Sequence, residues 1–439
     1  MTYHAPRGVN DLFPDVAHAF SWIEERAHEL FSRYGYTLFE APVFEQTEVF
    51  VRGIGEATDV VKKEMFGVYS AVAAGKLSSG EALKADEQLT LRPEGTAGVV
   101  RAVVEHSIVT PGSPVAKLWY SGSMFRHEKP QKGRLRQFHQ IGVECIGAGE
   151  PSADAEVIIM LMRFFESLGL PQSSMRLYLN SMGDATCRPA YRKAVRSYLL
   201  ENKALLCDEC VRRADSNPLR AFDCKNPGCI EVMAAAPIIT DMLCDECATH
   251  YDAVRSLLGA AAITFTEDPR LVRGLDYYTR TVFEVQVDAG LGAQNALGGG
   301  GRYDGLVEEF GGKPTPGLGF AVGLERILMT LEAQGITVGK LPTPKVFVAA
   351  VDTNTREAAF SVALMLRDAG LAVELDHQQR SLKSQFKLAD KLGVPWVVVI
   401  GDDELLSATV TLRHMPTGEE RRVRPDELIA LLRGAAKEY

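Results

Sequence analysis

No stretch of this chain holds the roughly 18 uninterrupted apolar residues that a membrane-spanning helix needs. The opening Met1-Thr2-Tyr3-His4-Ala5-Pro6 lacks the apolar core of a secretion signal. Positive charge is not in excess either, since the formal net charge is −9 over 439 residues. A simple polycation that coats nucleic acid is therefore excluded, and any nucleic-acid contact must come from local basic patches. No Ser-His or Cys-His pairing suited to nucleophilic catalysis stands out. A cytoplasmic protein without membrane contact is expected, and in a reducing compartment disulfides are not.

What is present is an ordinary globular composition, 46% hydrophobic and 24% charged. The length exceeds what one core usually supports, so two or three domains are expected. Six of the eight cysteines cluster as Cys207-x-x-Cys210, Cys224-x4-Cys229 and Cys244-x-x-Cys247. Two C-x-x-C pairs are the usual knuckles of a zinc site. Cys207, Cys210, Cys244 and Cys247 are read as its ligands, although the gap between the pairs is long for a compact ribbon. The alternative is a helical insert carrying reduced thiols.

Periodicity divides the chain. Phe20 to Tyr34 has the apolar spacing of an amphipathic helix, and Thr37 to Phe44 is extended. Val115 to Phe125 and Phe138 to Ile146 read as strands joined by a basic loop, an antiparallel hairpin. Helices are expected over Arg188 to Leu206 and Asp245 to Leu258, with strands resuming beyond Ile263. Past the proline-marked linker Gly339 to Pro344, strands and helices alternate, predicting a small α/β domain with a largely parallel sheet. Its basic and acidic residues balance, so the whole charge deficit lies in residues 1–339. The expected segments are 1–180, 181–262 as a helical Cys-rich insertion, 263–338 and 345–439.

Five motifs carry candidate chemistry. The hairpin loop runs Arg126-His127-Glu128-Lys129-Pro130-Gln131-Lys132-Gly133-Arg134-Leu135-Arg136. In the strand after it, alternation puts Gln140, Gly142 and Glu144 on one face. That face offers an amide and a carboxylate over a glycine, apt for an ammonium, or else a solvated surface. Arg92-Pro93-Glu94-Gly95-Thr96 presents a carboxylate and a hydroxyl before a helix, or a Thr96 cap with Glu94 exposed. Arg273-Gly274-Leu275-Asp276-Tyr277-Tyr278 sets an arginine before two tyrosines able to flank a flat ring. Gly298 to Gly301 permits close backbone approach or a sharp bend. Gly317 to Arg326 places glycines before a helix with an arginine in its first turns.

These motifs closely resemble those of the histidyl-tRNA synthetases, class II aminoacyl-tRNA synthetases, over essentially the full length. Arg7-Gly8-Val9-Asn10-Asp11-Leu12-Phe13-Pro14 resembles that family's opening signature. The region around Pro42 resembles class II motif 1, Phe125 through Glu144 motif 2, and Gly317 to Arg326 motif 3. Arg273 to Tyr278 and Gly298 to Gly305 resemble the two histidine-specific motifs.

The resemblance implies an α+β fold. It comprises an antiparallel six-stranded sheet flanked by helices, a helical insertion and a C-terminal α/β anticodon-binding domain. It implies a homodimer that activates L-histidine with ATP and Mg2+ and transfers it to tRNA-His. Arg126 and Arg273 would hold the α-phosphate, Arg326 the γ-phosphate, and Glu128 would also meet ATP. Glu94, Thr96, Gln140, Glu144, Tyr277 and Tyr278 match histidine-binding positions. The tRNA carries an extra 5′ guanosine, for which Gln131 and Arg136 are candidate readers. His127 and His139 are expected to be structural. The rival reading is the histidine-binding regulatory subunit of ATP phosphoribosyltransferase, a paralogue that does not charge tRNA. It typically lacks the anticodon domain and the ATP-binding arginines, both present here.

Overall fold

A computed structural model describes residues 2–56, 58–110, 112–288, 291, 295–339, 341 and 343–435. The chain divides into two compact units, Met1–Gly339 and Lys340–Tyr439. Lys340 and Pro342 of the expected linker, and residues 436–439, lie outside the described residues.

The first helix is Pro14–Arg33. It starts six residues before the apolar periodicity because Pro14 suits a first helical position and Asp15 favours the N-terminus. Phe20, Ile23, Ala27 and Phe31 recur every three or four residues and, with Ala19, form its buried stripe.

The strands of this unit are β1 Thr37–Leu38, β2 Phe44–Gln46, β3 Gly67–Val68, β4 Leu89–Leu91, β5 Ala116–Phe125, β6 Gln137–Ile146, β7 Met175–Ser181, β8 Thr266–Glu267, β9 Thr279–Val287, β10 Ala296–Arg302 and β11 Gly317–Gly323. Eight form one sheet in the order β1-β5-β6-β11-β10-β9-β7-β8. The six inner strands pair antiparallel throughout. The two-residue β1 and β8 add parallel edges. β2, β4 and β3 make a separate small sheet.

One face of the large sheet packs against Pro14–Arg33 and the helix Pro151–Ser167, with Ile23, Phe31, Phe164 and Phe320 in that core. The helices Arg188–Glu201, Asp208–Ser216, Pro227–Met233 and Asp245–Ala260 all fall between β7 and β8 in the chain.

The glycine-rich run is neither bend nor loop. It is β10, an inner strand paired to β9 and β11. A side chain on Gly299 would meet Arg273 Nη1 at 2.9 Å, and one on Gly301 would meet the Tyr278 ring at 2.9 Å. Bare backbone lets both residues lie against the sheet.

The C-terminal unit holds β12 Val346–Ala350, β13 Val373–Leu375, β14 Trp396–Ile400, β15 Val410–His414 and β16 Glu420–Val423. The order is β13-β12-β14-β15-β16. The first three are parallel, as expected. The last two extend the sheet as an antiparallel hairpin that the sequence reading did not include.

Candidate active site

A cleft of about 460 Å3 opens on the other side of the inner strands. Glu94, Thr96, Arg126, Glu128, Gln140, Arg273, Tyr277, Tyr278 and Arg326 all line it. They are separated by up to 232 positions in sequence (326 − 94) and arrive on different elements.

At the turn before the helix Thr96–Glu105 the alternative of a Thr96 cap does not hold. Glu94, not Thr96, caps it. Its Oε2 accepts from the Thr96 N–H at 2.7 Å and its Oε1 from Ala97 N–H at 2.9 Å. A carboxylate at a helix N-terminus gains from both hydrogen bonds and the dipole. Glu94 is nonetheless 5% exposed, so it is buried rather than solvated. Burial raises its pKa, and the two backbone donors oppose that rise.

Thr96 is thereby free to donate its hydroxyl to Glu144 Oε1 at 2.8 Å. The Tyr303 hydroxyl donates to Glu144 Oε2 in a short bond. Glu144 sits one layer behind the cleft wall, beneath Thr96 and Tyr303, rather than on a solvated strand face. Burial pushes its pKa up to about 8, with the Tyr303 and Thr96 hydroxyls pulling the other way. Gln140, nearer the mouth on the same strand, has a buried Oε1 with no protein donor. A buried acceptor without a partner is costly, so a ligand N–H is its natural complement.

The tyrosines differ from expectation. Tyr277 and Tyr278 have ring centroids 4.6 Å apart and pack on each other. They leave no slot between them for a flat ring. With Tyr303, whose ring lies 5.7 Å from Tyr277, they make one continuous aromatic wall.

The cations stand around the remaining cleft. Arg126 Nε donates to Pro93 O at 2.9 Å, and its guanidinium lies 5.4 Å from the centre of the Phe138 ring. Arg273 forms a short ion pair with Glu284, and its Nε is buried without an acceptor. Burial disfavours the Arg273 charge, but Glu284 and the tyrosines outweigh it and hold the pKa above its usual value. Arg326 donates to Ala296 O at 2.6 Å and Gly133 O at 3.2 Å. Burial, then Arg134, lower its pKa. Arginine stays charged regardless, so three fixed cations face one cavity.

The loop after β5 divides its residues. Glu128 is buried and paired with Arg134. Gln131 is exposed at the tip, in a tight turn with Arg134. Arg136 does not reach the cleft wall. Its Nε donates to Glu128 O at 3.2 Å, and its backbone N–H donates to Gly8 O at 2.8 Å. The positive φ of Gly8, 84°, turns the N-terminal segment onto this loop. His139 bridges Glu325 at 2.9 Å and Ser123 at 3.1 Å, which fits a structural role. His127 is exposed, and its ring packs edge-on against Phe66.

Tyr303, Glu284 and Tyr120 also belong to the cleft, and the sequence alone assigns a role to none of them. Tyr303 lies inside the glycine-rich motif, whose pattern is dominated by its glycines. Glu284 sits on a strand face with no local motif. Tyr120 fills the space over Gly95 and Gly142, a contact only the fold creates.

The expected metal quartet does not assemble. Cys207 and Cys210 group with Cys224 and Cys229, whereas Cys244 and Cys247 group with Asp184 and Cys187. The long gap between the C-x-x-C pairs reflects two clusters, not one.

Comparison with known proteins gives consistent results. A family model described as Histidyl-tRNA synthetase matches residues 8–327, and one described as Anticodon binding domain matches 345–434. The chain is 46% identical over 417 residues to a protein of Trichlorobacter lovleyi named histidine–tRNA ligase, covering 95% of this chain and 94% of that one. A protein of the same name from Desulforamulus reducens is 43% identical over 428 residues, with 98% of each chain covered. The crystal structure of apo histidyl-tRNA synthetase from S. aureus superposes with a TM-score of 0.80 at 34% identity, covering 98% of this chain and all of that one.

Proposed function

The chain belongs to the histidyl-tRNA synthetase family, and from that premise we infer the part each cleft residue plays in ATP-dependent ligation of histidine to tRNA-His. In the first step an oxygen of the histidine carboxylate attacks the α-phosphorus of ATP. The bond to the bridging oxygen breaks and pyrophosphate leaves. In the second, a ribose hydroxyl at the tRNA 3′ end attacks the acyl carbon and AMP departs. The substrate supplies its own nucleophile, which explains why the cleft needs no nucleophilic side chain.

The observation that carries this assignment is the convergence of Arg126, Arg273 and Arg326 on one cleft with a buried acid-and-tyrosine end. Negative charge grows on the α-phosphate oxygens in the transition state, and fixed cations stabilise it there. Arg126 and Arg273 take that role. Arg326, buried and beside Arg134, suits the γ-phosphate. Glu128 holds Arg134 at the nucleotide side.

At the other end, the orphan Oε1 of Gln140 and the carboxylate of Glu94 suit the histidine ammonium. Tyr277 and Tyr278 supply one wall for the imidazole, and Glu144 orders the hydroxyls of Thr96 and Tyr303 at its base.

The reaction uses ATP and a divalent metal, for which we take Mg2+. Among the described residues the cleft gathers no group of three acidic donors. That fits a hard ion held mainly by phosphate oxygens and water, with one carboxylate such as Glu128. The ion would neutralise phosphate charge while the arginines orient the α-phosphate.

The segments 1–180, 181–262, 263–338 and 345–439 are taken as catalytic core, insertion, second part of the core and anticodon-binding domain. Exposed Leu38, Val43 and Phe44 around Pro42 suit a face covered by a second copy. No helix among the described residues is long and apolar enough to cross a membrane. A cytoplasmic location follows from the need to meet tRNA.

The deciding experiment is histidine-dependent pyrophosphate–ATP exchange, followed by charging of tRNA-His. A regulatory paralogue binds histidine without exchange, so absent exchange would overturn these assignments.

A further inference from the structure

We propose that the inserted helices are built on two separate zinc ions, one held by Cys207, Cys210, Cys224 and Cys229, the other by Asp184, Cys187, Cys244 and Cys247. In each group, the four candidate ligand atoms all lie within 4.8 Å of one another.

The first group has the dimensions of a closed tetrathiolate. Cys207 Sγ and Cys224 Sγ are 3.9 Å apart. Four sulfurs at about 2.3 Å from zinc sit about 3.8 Å from each other. A disulfide would need about 2 Å, and all eight cysteines are free. The local fold explains the convergence. Cys207 immediately precedes the helix Asp208–Ser216 and Cys210 lies in its first turn. Both thiols therefore hang from one helix N-terminus. Cys224 ends the turn Pro218–Asp223, and Cys229 lies in Pro227–Met233. The Cys207 N–H donates to Cys229 Sγ at 3.2 Å, the kind of bond that favours a thiolate. Helices of nine and seven residues are too short to persist alone. A shared ion would cross-link these short elements directly.

The second group sits where the insertion leaves and rejoins the sheet. Asp184 and Cys187 follow β7 and lead into Arg188–Glu201. Cys244 and Cys247 open Asp245–Ala260, the last inserted helix. Asp184 Oδ1 is 3.6 Å from Cys187 Sγ and 3.8 Å from Cys244 Sγ. A tetrahedral ion with one oxygen and one sulfur ligand sets that edge at about 3.6 Å. An ion here fastens both ends of the insertion together.

This stem site also adjoins the cleft. Arg280 Nη2 lies 3.5 Å from Asp184 Oδ2, and Arg188 Nη2 donates to the Tyr278 carbonyl at 2.7 Å. The ion thus steadies the segment that carries Tyr278, without touching substrate.

The test is metal analysis of the full-length protein purified under reducing conditions without chelator. Two equivalents of zinc per chain are expected. Cys224→Ser and Cys244→Ser should each retain one equivalent, and the double variant none. A single ion lost in both single variants would mean one shared site and overturn the proposal. So would iron in place of zinc.

Should either variant prove insoluble, the unmutated protein decides. Stripped in denaturant and refolded with cobalt, it should take up two equivalents and show sulfur-to-metal absorption from both. Uptake of one equivalent, or of none, would overturn the two-site assignment.

Discussion

The Thr96 hydroxyl donates to Glu144 at 2.8 Å, tying the start of a helix to the C-terminal part of strand β6. That bond places a buried acid directly behind the cleft wall. Replacing Glu144 by Gln keeps the shape but removes an acceptor for either Thr96 or Tyr303. The expected result is a rise in the KM for histidine of about 10- to 100-fold, the cost of leaving one buried hydroxyl without its acceptor. The KM for ATP should change little. Steady-state exchange kinetics with each substrate varied check this, and parallel shifts in both constants would refute the assignment to the histidine end.

The same residue makes stability depend on pH. Its pKa is raised from 4.5 to about 8 by burial. Below pH 4.5 the folded and unfolded chains both hold the proton. Between 4.5 and 8 the unfolded chain releases it while the folded chain retains it, so the folded state loses ground as pH rises. The slope from this group is at most about 1.4 kcal/mol per pH unit. Glu144→Gln removes this contribution. The melting temperature of the variant, relative to the unmutated protein, should therefore climb between pH 5 and 8. A constant difference across that range would show that Glu144 ionises normally.

Arg273 faces the cleft with a buried Nε lacking an acceptor, while Glu284 fixes its other end. Arg273→Ala should slow adenylate formation about 100- to 1,000-fold, the usual effect of losing one transition-state donor. Histidine and ATP should still bind, as measured by calorimetry. Unchanged exchange rates would remove Arg273 from the chemistry.

Much of this site was legible because family motifs are short and local. Arg126, Arg273 and Arg326 each sit in a recognisable string, and the fold brings all three to one cleft. Burial was not legible in the same way. Glu94 is a candidate histidine ligand in the sequence, with an exposed site beside a Thr96 cap as the alternative; burial and the capping role of its own carboxylate remove that alternative. The tyrosine pair suggested two walls, but adjacent residues in an irregular turn packed together instead. The C-x-x-C pairs suggested one ion, because spacing cannot reveal that Asp184 and Cys187 stand beside Cys244 and Cys247. In the C-terminal unit the parallel strands announced themselves by apolar runs. The hairpin β15–β16 is half polar and gave no such signal.

One buried pair carries stability rather than chemistry. Arg302, at the end of β10, is fully buried and pairs with Asp154 on the helix Pro151–Ser167. Asp304 meets the same guanidinium at 3.0 Å. Asp154→Ala would leave the arginine charge in the interior with the Ala148 carbonyl and the partly exposed Asp304 beside it. The expected cost is about 3–5 kcal/mol. Urea unfolding measures it, and a loss below about 1 kcal/mol would show that the region admits water.

The loop between β5 and β6 presents one side chain suited to reading a base. Gln131 is exposed at the tip, where Gly133 takes a positive φ of 71° to close the turn. Its amide offers both a donor and an acceptor. Arg136, the other candidate, is engaged with Glu128 and packs against Gly8, so it braces the loop. Gln131→Ala should therefore slow aminoacylation of tRNA-His while sparing pyrophosphate exchange. The preference for tRNA carrying the extra 5′ guanosine should shrink, because the variant has lost the group that distinguishes it. The comparison is a two-by-two measurement, both enzymes against tRNA with and without that nucleotide. If the variant keeps the full preference, the base is read elsewhere. Lys129 and Lys132 would then be the next loop positions to test, since a cation can hold the additional phosphate without reading the base.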